Sequence, residues 1–438
     1  MKKEDDIFLN KKILIYGLGK SGKSTFNFLK KKNNVILYDD FVGKSEKLKI
    51  KKRIFSYRKV LKTEFDKIII SPGIDINKCK LSKFLKKNLD KIYTDLDVFY
   101  TFYKNDCITI TGTNGKSTTC QLLYEVFLRQ NFDVKLVGNI GNPILSTKNI
   151  KKKTIFVIEA SSYQLEYSKI FKSKYSIILN ISPDHIERHK NIENYTKAKF
   201  KLIKNQIKGD LAIVKKGDLF IEKVLATNNF KSKIIKLETN KRDRFLKDIN
   251  NDYFNSESNQ ENLKFVIEIL KNFNIKRQRL IKTIKLFKGL KYRQQIIYQK
   301  NNLTIINDSK STSFSSSISA LKTNSDIYWI LGGIYKKNDE FNLPKKYFYR
   351  IKAFIYGKNT KFFRKKLDGK ITFENFNNLK DAIRKIFKLI KKEKIYNTTI
   401  LFSPCAASFD SFKNFEHRGL YFNNLIKKYL DGKHKTNL

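Results

Sequence analysis

Residues 107–119 read CITITGTNGKSTT, an apolar run that leads directly into a glycine-rich loop. The β-branched residues of 107–111 predict a buried strand, and Thr111–Thr119 predict a loop that opens a helix. Free amides at a helix N-terminus attract phosphate, Lys116 can neutralise the β- and γ-phosphates of a nucleotide, and Ser117 can bind Mg²⁺. This stretch therefore predicts a central P-loop mononucleotide-binding domain in an α/β protein.

Similar apolar runs recur along the chain, and most of them close on a small or polar residue. They lie at 11–17, 34–40, 66–73, 154–160, 175–182, 303–308, 326–333, 352–357 and 398–404. Strands buried on both faces, with amphipathic stretches between them, predict parallel, doubly wound sheets. Ligands of such sheets bind at the carboxyl ends of the strands, so the residues that follow these runs are the candidates for chemistry.

Composition limits the choice of protein class. The 438 residues suit two or three domains, and the formal charge is +50. The excess is almost all lysine, is spread along the whole chain, and accompanies the abundant Ile, Asn, Tyr and Phe that are typical of an AT-rich genome. Because no basic-aromatic binding module accompanies the charge, no specific nucleic-acid partner is predicted.

Targeting signals and paired cysteines are not evident in the sequence. No apolar run approaches the ~18 residues that span a membrane, and no cleavage site follows the charged N-terminus. The four cysteines are scattered and are predicted to be buried free thiols. A cytoplasmic protein without a membrane partner is expected.

A second glycine-rich loop, Gly17–Ser24, fits both G-x-G-x-x-G and G-x-x-x-x-G-K-S. It follows the strand pattern at 11–16 and predicts a helix from Thr25 to Lys31. Asp39 follows Gly22 by 17 residues, where a dinucleotide-binding fold places its ribose-binding acid. The loop therefore predicts a phosphate site, and a purely structural tight turn is the alternative.

A strict pattern match would place ATP at the first loop, because Ile110 occupies the position of the distant glycine in the second. The surroundings favour the second loop. Glu159 closes the run at 154–160, and Asp184 and His185 follow the run at 175–182. Metal-binding side chains of this kind do not follow the first loop, so ATP is assigned to residues 111–119.

Six motifs together resemble those of the Mur ligases in order and spacing. They are TGTNGKST (111–118), EASSYQLE (159–166), LNISPDHIERH (179–189), YTKAK (195–199), INDSKST (306–312) and SPCAASFDSFKNFEHRG (403–419). The last two resemble the D-glutamate-adding members of that family. The resemblance extends from about residue 13 to residue 422.

The resemblance implies three α/β domains. These are a Rossmann-like UDP-substrate domain (1–92), a central ATP-binding P-loop domain (93–290) and a C-terminal Rossmann-like amino-acid-binding domain (291–438). It also implies a monomeric, ATP-dependent amide ligase of peptidoglycan precursor synthesis. Such an enzyme adds D-glutamate to UDP-N-acetylmuramoyl-L-alanine through an acyl phosphate and releases ADP and phosphate.

Three substrate sites follow from the same resemblance. The resemblance assigns the first glycine-rich loop to binding of the uridine nucleotide, and it gives Lys23 no role in that site. The UDP-substrate residues are Gly17, Leu18, Gly19, Ser21, Asp39, Ser71, Pro72, Gly73 and Asn139. The ATP residues are Gly112, Thr113, Asn114, Gly115, Lys116, Ser117, Thr118, Asn259, Asn262, Arg293 and Asp308. The D-glutamate residues are Lys310, Thr312, Lys336, Ser408 and Phe415.

The implied catalytic residues are Lys116, Glu159, His185 and Lys199, and the implied ligands of two Mg²⁺ ions are Ser117, Glu159, His185 and Lys199. A lysine cannot bind a metal as an ammonium ion, so the resemblance implies that Lys199 carries a carbamate formed with CO₂. The sequence departs from the family at three places. Ser258 and Tyr292 replace motif histidines, and bulky residues precede Lys336.

Three alternative interpretations of the sequence agree less well with these motifs. A sister Mur ligase or a folylpolyglutamate-type ligase shares the architecture but lacks the signatures at 306–312 and 403–419. A basic P-loop nucleic-acid NTPase would need further helicase motifs. A nicotinamide dehydrogenase built on residues 17–39 leaves residues 107–419 unexplained.

Overall fold

The computed structural model describes residues 7–41, 53–239, 249, 251–322, 325–336, 339–392 and 397–431. The chain packs into two compact units, Met1–Arg244 with Glu261–Ile284 and Phe245–Gln260 with Lys285–Leu438. The described residues form three β-sheets, of which two belong to the first unit and the third belongs to the second. The α/β class with parallel sheets is confirmed, whereas the division into three domains stays a prediction.

The first sheet has four parallel strands in the order β2-β1-β3-β4. They are β1 (Lys12–Tyr16), β2 (Asn34–Tyr38), β3 (Lys67–Ile70) and β4 (Ile92–Tyr93). The accompanying helices are Lys20–Leu29, Tyr57–Leu61, Ser82–Lys87 and Asp95–Phe102.

The helix after the first loop begins at Lys20, so the predicted start at Thr25 was wrong. The small residues Gly22, Ser24 and Thr25 form its buried face. Because these residues lack the apolar side chains that mark a helical face, the first turns of the helix could not be recognised from hydrophobic periodicity.

The second sheet has six parallel strands in the order β10-β9-β8-β5-β7-β6. They are β5 (Cys107–Thr111), β6 (Val134–Gly138), β7 (Ile155–Glu159), β8 (Tyr175–Ile178), β9 (Leu211–Lys215) and β10 (Lys233–Leu237). The helices are Lys116–Arg129, Ser162–Glu166, Ile186–His189, Ile192–Lys204, Leu219–Thr227, Glu257–Leu270 and Arg277–Leu286. One core cluster, with Phe8, Leu29, Phe99 and Phe156 among its members, joins the first two sheets.

The third sheet has the order β11-β12-β16-β13-β14-β15, in which only the pairing of β11 with β12 is antiparallel. Its strands are β11 (Gln295–Lys300), β12 (Leu303–Asn307), β13 (Asp326–Leu331), β14 (Ile351–Tyr356), β15 (Thr372–Phe376) and β16 (Thr398–Phe402). Its helices are Phe314–Leu321, Thr360–Leu367, Leu379–Lys392 and Phe415–Leu430.

All ten predicted runs form strands, and β4, β6, β9, β10, β11 and β15 were not predicted. Five of these six, all except β9, lie at sheet edges. An edge strand tolerates polar residues, as KIIKL of β10 and TFENF of β15 illustrate, so the continuous apolar signal is lost. In the described part of the chain, no helix combines the length and the apolar character needed to cross a bilayer.

Candidate active site

The strand order of the second sheet brings three motifs to one edge. β5 lies between β7 and β8, with Ile110 opposite Glu159 and Thr111 opposite Ile178. Because all three strands are parallel, the loop after β5, the end of β7 and the segment after β8 meet at their carboxyl ends. This is the edge at which ligands of such sheets bind.

The loop after β5 is held in shape by asparagines from other segments. Asn180, just after β8, accepts a hydrogen bond from the Asn114 amide (2.9 Å) and donates to the Asn114 carbonyl (3.2 Å). Gly115 has a φ of +85°, and a Cβ there would lie 2.2 Å from Oδ1 of Asn262. The backbone of the loop and the Asn262 side chain therefore approach each other at a distance that only glycine permits.

Ser117 and Glu159 form the most direct contact of the site. The Ser117 hydroxyl donates to Glu159 Oε2 at 2.5 Å, and the side-chain Nδ2 of Asn139 donates to Oε1 at 2.7 Å. Glu159 and Ser117 are both 1 % exposed. A hydroxyl and a carboxylate oxygen side by side at the start of the P-loop helix are the kind of donors that Mg²⁺ prefers.

Two lysines share one carbonyl group next to this pair. Lys116 Nζ donates to the carbonyl oxygens of Gly112 and Thr113, both at 2.7 Å, and Lys199 Nζ donates to Gly112 at 2.8 Å. The helix Ile192–Lys204 thus places Lys199 beside the P-loop.

Lys199 is buried, with 1 % of its surface exposed, and its Nζ lies 4.4 Å from the centre of the Tyr195 ring. Burial, together with the charge of Lys116, lowers the pKa of Lys199 well below its ordinary value. Since desolvation disfavours the ammonium form, the neutral amine is promoted at this position.

His185 borders the same edge. It has a left-handed backbone (φ +55°), and its ring lies 4.8 Å from Tyr163 and 6.5 Å from Tyr195 between ring centres. The Tyr195 hydroxyl is in turn 3.2 Å from the Thr113 hydroxyl in the P-loop. His189 packs against the rings of Tyr163 and Tyr195, and its Nε2 lies 3.0 Å from Ser162 Oγ. Burial lowers the pKa of His189 to about 4, so its ring is neutral near pH 7.

The first glycine-rich loop forms its own site at the carboxyl ends of β1 to β3. Asp39 accepts from the backbone amides of Leu18 (2.6 Å) and Phe41, and Ser71 Oγ donates to the Gly17 carbonyl (2.8 Å). A Cβ on Gly22 would lie 1.8 Å from the Gly17 carbonyl oxygen, so the turn requires glycine there. Lys23 is exposed.

The second unit gathers polar residues at the ends of β12 and β16. Asp308 is buried, and its carboxylate accepts from Ser403 Oγ (2.8 Å) and from the Gln294 amide (3.1 Å). Burial raises the pKa of Asp308 to about 7, against the hydrogen bond from Ser403 and the positive charges of Arg293 and Arg418.

Lys310 and Phe415 are also brought together in this unit, with Lys310 Nζ 4.1 Å from the ring centre. The fully buried Arg418 donates to the backbone carbonyls of Ser309 (2.8 Å) and Ala406 (2.9 Å). It thereby ties the loop that carries Lys310 to the loop that carries Ser408.

Comparison with known proteins identifies the family. A model of the Mur ligase middle domain matches residues 110–277. A UDP-N-acetylmuramoylalanine--D-glutamate ligase of Rickettsia bellii is 31 % identical, over 94 % of this chain and 96 % of that protein. A ligase of the same name from Buchnera aphidicola is 36 % identical, over 96 % of this chain and 99 % of that protein. The chain belongs to the Mur ligase family.

Solved structures share the fold of this Mur ligase. A MurF ligase from Thermotoga maritima in complex with ADP has a TM-score of 0.58 at 12 % identity, over 97 % of this chain and 99 % of that one. A UDP-N-acetylmuramate-alanine ligase, MurC, from the same organism has a TM-score of 0.54 at 16 % identity, over 97 % and 100 % of the two chains. At these identities the likeness concerns the fold alone.

Most predicted residues of this Mur ligase lie in three groups. The P-loop from Gly112 to Thr118 lies with Glu159, Asn139, Lys199 and Asn262, while Gly17, Leu18, Asp39 and Ser71 form the first-loop site. Gly19, Ser21, Pro72 and Gly73 are close in sequence to that site. In the second unit, Lys310 contacts the Phe415 ring, and the charge of Arg418 acts on Asp308. Arg418 also bonds the backbone of Ser309, next to Lys310, and of Ala406, in the loop that carries Ser408.

The remaining predicted residues are less closely tied to these groups. Asn259 is buried and donates to the Tyr253 carbonyl at 2.8 Å, so its partner differs from that of Asn262. Arg293, Thr312 and Lys336 are half-buried residues of the second unit.

Sequence reasoning missed three supporting residues of this Mur ligase, Asn180, Ser403 and Arg418. Each stands inside a quoted motif, and Asn180 and Ser403 lie within one or two residues of the end of a strand, β8 and β16 respectively. A rule that treats every polar residue after a strand as a candidate would have found those two. The importance of Arg418 becomes visible only from its burial.

Proposed function

We propose that this Mur ligase joins D-glutamate to the carboxylate of UDP-N-acetylmuramoyl-L-alanine at the expense of ATP. The γ-phosphoryl group passes to the carboxylate, and the amine of D-glutamate then displaces phosphate from the acyl phosphate, leaving ADP, phosphate and the new amide. The observation that carries the proposal is the cluster of Ser117, Glu159, Lys116 and Lys199 around the P-loop. Relatives that share 31–36 % of its residues over nearly the whole chain bear the name of this activity.

ATP is proposed to bind the P-loop through the amides of Gly112–Thr118 and the Lys116 ammonium group. Phosphoryl transfer depends mainly on positioning and on neutralising the charge that develops on the transferred group. Lys116 is suited to this role because its carbonyl partners hold its ammonium group at the loop. Asn262 against Gly115 supports the loop, and the family resemblance adds Asn259, Arg293 and Asp308 to the residues proposed for ATP.

Two Mg²⁺ ions are proposed, and the donor chemistry fits the first of them well. Ser117 and Glu159 would hold it as neighbouring oxygen ligands, and it would neutralise charge on the β- and γ-phosphates when bound. His185 and a modified Lys199 are proposed to hold the second.

The proposed modification of Lys199 is a carbamate. Its formation requires a neutral amine: the nitrogen lone pair attacks the carbon of CO₂, one C–O π bond becomes the carboxylate, and the ammonium proton formed is released. The lowered pKa of the buried Lys199 supplies that neutral amine. The product is an anionic oxygen donor next to the P-loop, where a protonated lysine would repel a metal.

Two further sites complete the proposal. The first loop is proposed to hold the UDP group together with Asp39, Ser71 and their neighbours. Asn139 is proposed to contact the sugar-peptide arm of the same substrate. D-Glutamate has two carboxylates, for which Lys310 and Lys336 are the proposed cations, with Thr312, Ser408 and Phe415 lining the site. The domain boundaries near residues 92 and 290, a monomeric state, a cytoplasmic location and the absence of a specific nucleic-acid partner stay predictions.

The test is phosphate release from ATP in the presence of UDP-N-acetylmuramoyl-L-alanine and one amino acid at a time. Release is expected with D-glutamate and not with L-glutamate, L-lysine or meso-diaminopimelate. Omission of the UDP substrate is the control for uncoupled hydrolysis. Faster release with L-lysine or meso-diaminopimelate would point to a sister ligase, and stimulation by DNA without the UDP substrate would point to a nucleic-acid NTPase.

A further inference from the structure

A chain of buried hydroxyl groups ends on Asp308. β12 and β16 pair in parallel with Asn307 opposite Phe402, so the residues that follow, Asp308 and Ser403, are neighbours. Ser403 Oγ lies 2.8 Å from Asp308 Oδ2, and Ser317 Oγ lies 2.5 Å from Ser403 Oγ. All three residues are 5 % exposed or less.

When Asp308 is ionised, the number of available hydroxyl hydrogens fixes the direction of the hydrogen bonds in this series of hydroxyl groups. A carboxylate can only accept, so Ser403 must donate its one hydroxyl hydrogen to Asp308. Ser403 then accepts from Ser317, which has no hydrogen left and must itself accept. The Ser311 hydroxyl at 2.8 Å and the Cys405 thiol at 2.9 Å are the two groups placed to donate to it. The hydroxyl dipoles of Ser403 and Ser317 therefore point towards the carboxylate, and such aligned bonds reinforce one another.

We infer that Ser403 and Ser317 are positioning residues for the reaction, which act by holding the Asp308 carboxylate ionised and in one orientation. A protonated Asp308 would donate to Ser403 and reverse the chain. The inference rests on the proposed function in one respect only, namely that Asp308 contacts ATP. Neither serine is a predicted site residue, and neither needs to touch a substrate.

The other groups that face Asp308 leave its ionisation finely balanced. The Gln294 amide donates to Oδ1, and the positive charges of Arg293 and Arg418 favour the carboxylate. Burial opposes them, and the pKa of Asp308 is about 7. The nearby Cys405 is buried, which raises the pKa of its thiol, so it remains neutral. Loss of one donor should therefore change the ionised fraction within the working pH range.

The first experiment does not depend on activity. Melting temperatures of the wild type, Ser403→Ala, Ser317→Ala and Ser325→Ala are compared from pH 6 to 8.5. Ser325 is the matched control, because its hydroxyl is buried and lies 2.9 Å from that of Thr399 in the same sheet. A folded-state pKa above the unfolded one makes stability fall as pH rises through the folded pKa. Ser403→Ala raises that pKa further, so its deficit against wild type should grow above pH 7. The Ser325→Ala deficit should stay constant.

The second experiment measures D-glutamate-dependent phosphate release from pH 6 to 9. For Ser403→Ala the acid limb should move up by about one pH unit, which means about a tenfold loss at pH 6.5 and less than threefold at pH 9. Ser317→Ala should move it less, and Ser403→Thr, which keeps the hydroxyl, should restore the wild-type profile. If the wild-type protein shows no activity, the proposed function is refuted. The melting comparison then decides whether the serines hold Asp308 ionised. Parallel profiles, or equal changes in Ser325→Ala, would overturn the inference.

Discussion

Two buried aspartates, Asp95 and Asp97, should respond in opposite ways to replacement by asparagine. Both lie in the first turn of the helix Asp95–Phe102, and they are 4 % and 0 % exposed. They differ in the number of donors that face them, and this difference sets the sign of the expected effect.

Asp97 is saturated with hydrogen bonds. Oδ2 accepts from the amide (2.9 Å) and the hydroxyl (3.0 Å) of Thr94. Oδ1 accepts from the Ser168 hydroxyl and from the amides of Lys169, Ile170 and Phe171, all within 3.0 Å. An asparagine would turn an NH₂ group towards one of these sets. If it faced Thr94, the hydroxyl there could rotate and accept, but the buried Thr94 backbone amide would be unpaired and the four bonds to Oδ1 would lose their charge assistance. At about 1–3 kcal/mol for an unpaired buried donor, with the weakening of these four bonds added, Asp97→Asn should cost about 3–5 kcal/mol.

The Asp95 carboxylate has fewer hydrogen-bond donors around it than that of Asp97. Its Oδ1 has no hydrogen-bond partner among the described residues, and burial raises its pKa from 3.8 to about 6 despite hydrogen bonds from the Leu96 backbone and the Ser21 side chain. A difference of about 2 in pKa corresponds to about 3 kcal/mol. Because the folded-state pKa is the higher one, this cost is absent below about pH 4, grows between pH 4 and pH 6, and is complete at pH 7.5. Asp95→Asn should therefore stabilise the protein by about 1–2 kcal/mol at pH 7.5, once the lost hydrogen bond is subtracted, and hardly at all at pH 4.5.

Thermal unfolding followed by circular dichroism at pH 7.5 and pH 4.5 measures both effects. At roughly 2 °C for each kcal/mol in a unit of this size, Asp97→Asn should lower the melting temperature by about 6–10 °C at pH 7.5, and Asp95→Asn should raise it by about 2–4 °C. The reasoning is refuted if Asp95→Asn destabilises the protein at pH 7.5, or if its benefit is as large at pH 4.5.

Three further predictions concern activity in the phosphate-release assay. Lys116→Ala should lower turnover by about 10³-fold, as expected for the loss of a transition-state contact of ~4 kcal/mol, whereas Lys23→Ala should change it less than tenfold; the reverse order would exchange the two loops. Lys199→Ala should be nearly inactive and partly restored by acetate, whereas Lys199→Arg should not be rescued; a fully active Lys199→Ala would exclude the carbamate. Gly115→Ala should raise the KM for ATP at least tenfold with an unchanged circular dichroism spectrum, because its Cβ would collide with Asn262; an unchanged KM would show that the loop can adapt.

The sequence by itself determined the features that depend on contiguous residues. A buried parallel strand is marked by a mainly apolar, β-branched run, and all ten predicted runs became strands, although the interior strand β9 was missed. A P-loop is one uninterrupted segment, so its glycines, Lys116 and Ser117 are visible together. The choice between the two loops also followed from the sequence, because Glu159 and His185 end or follow neighbouring apolar runs.

Only the tertiary structure decided the features that depend on strand order and register. Edge strands such as β10 are recognised by their partners and not by their own polarity. Lys199 is one of many lysines in the sequence, and its lowered pKa exists because folding buries it beside Lys116.

Asp97 and Ser403 show the same dependence over longer distances. Asp97 Oδ1 meets its four donors more than 70 positions later in the chain, and Ser403 meets Asp308 across 95 positions. Burial, desolvation and hydrogen-bond saturation are properties of surroundings assembled from distant segments, so no local pattern of residues can encode them.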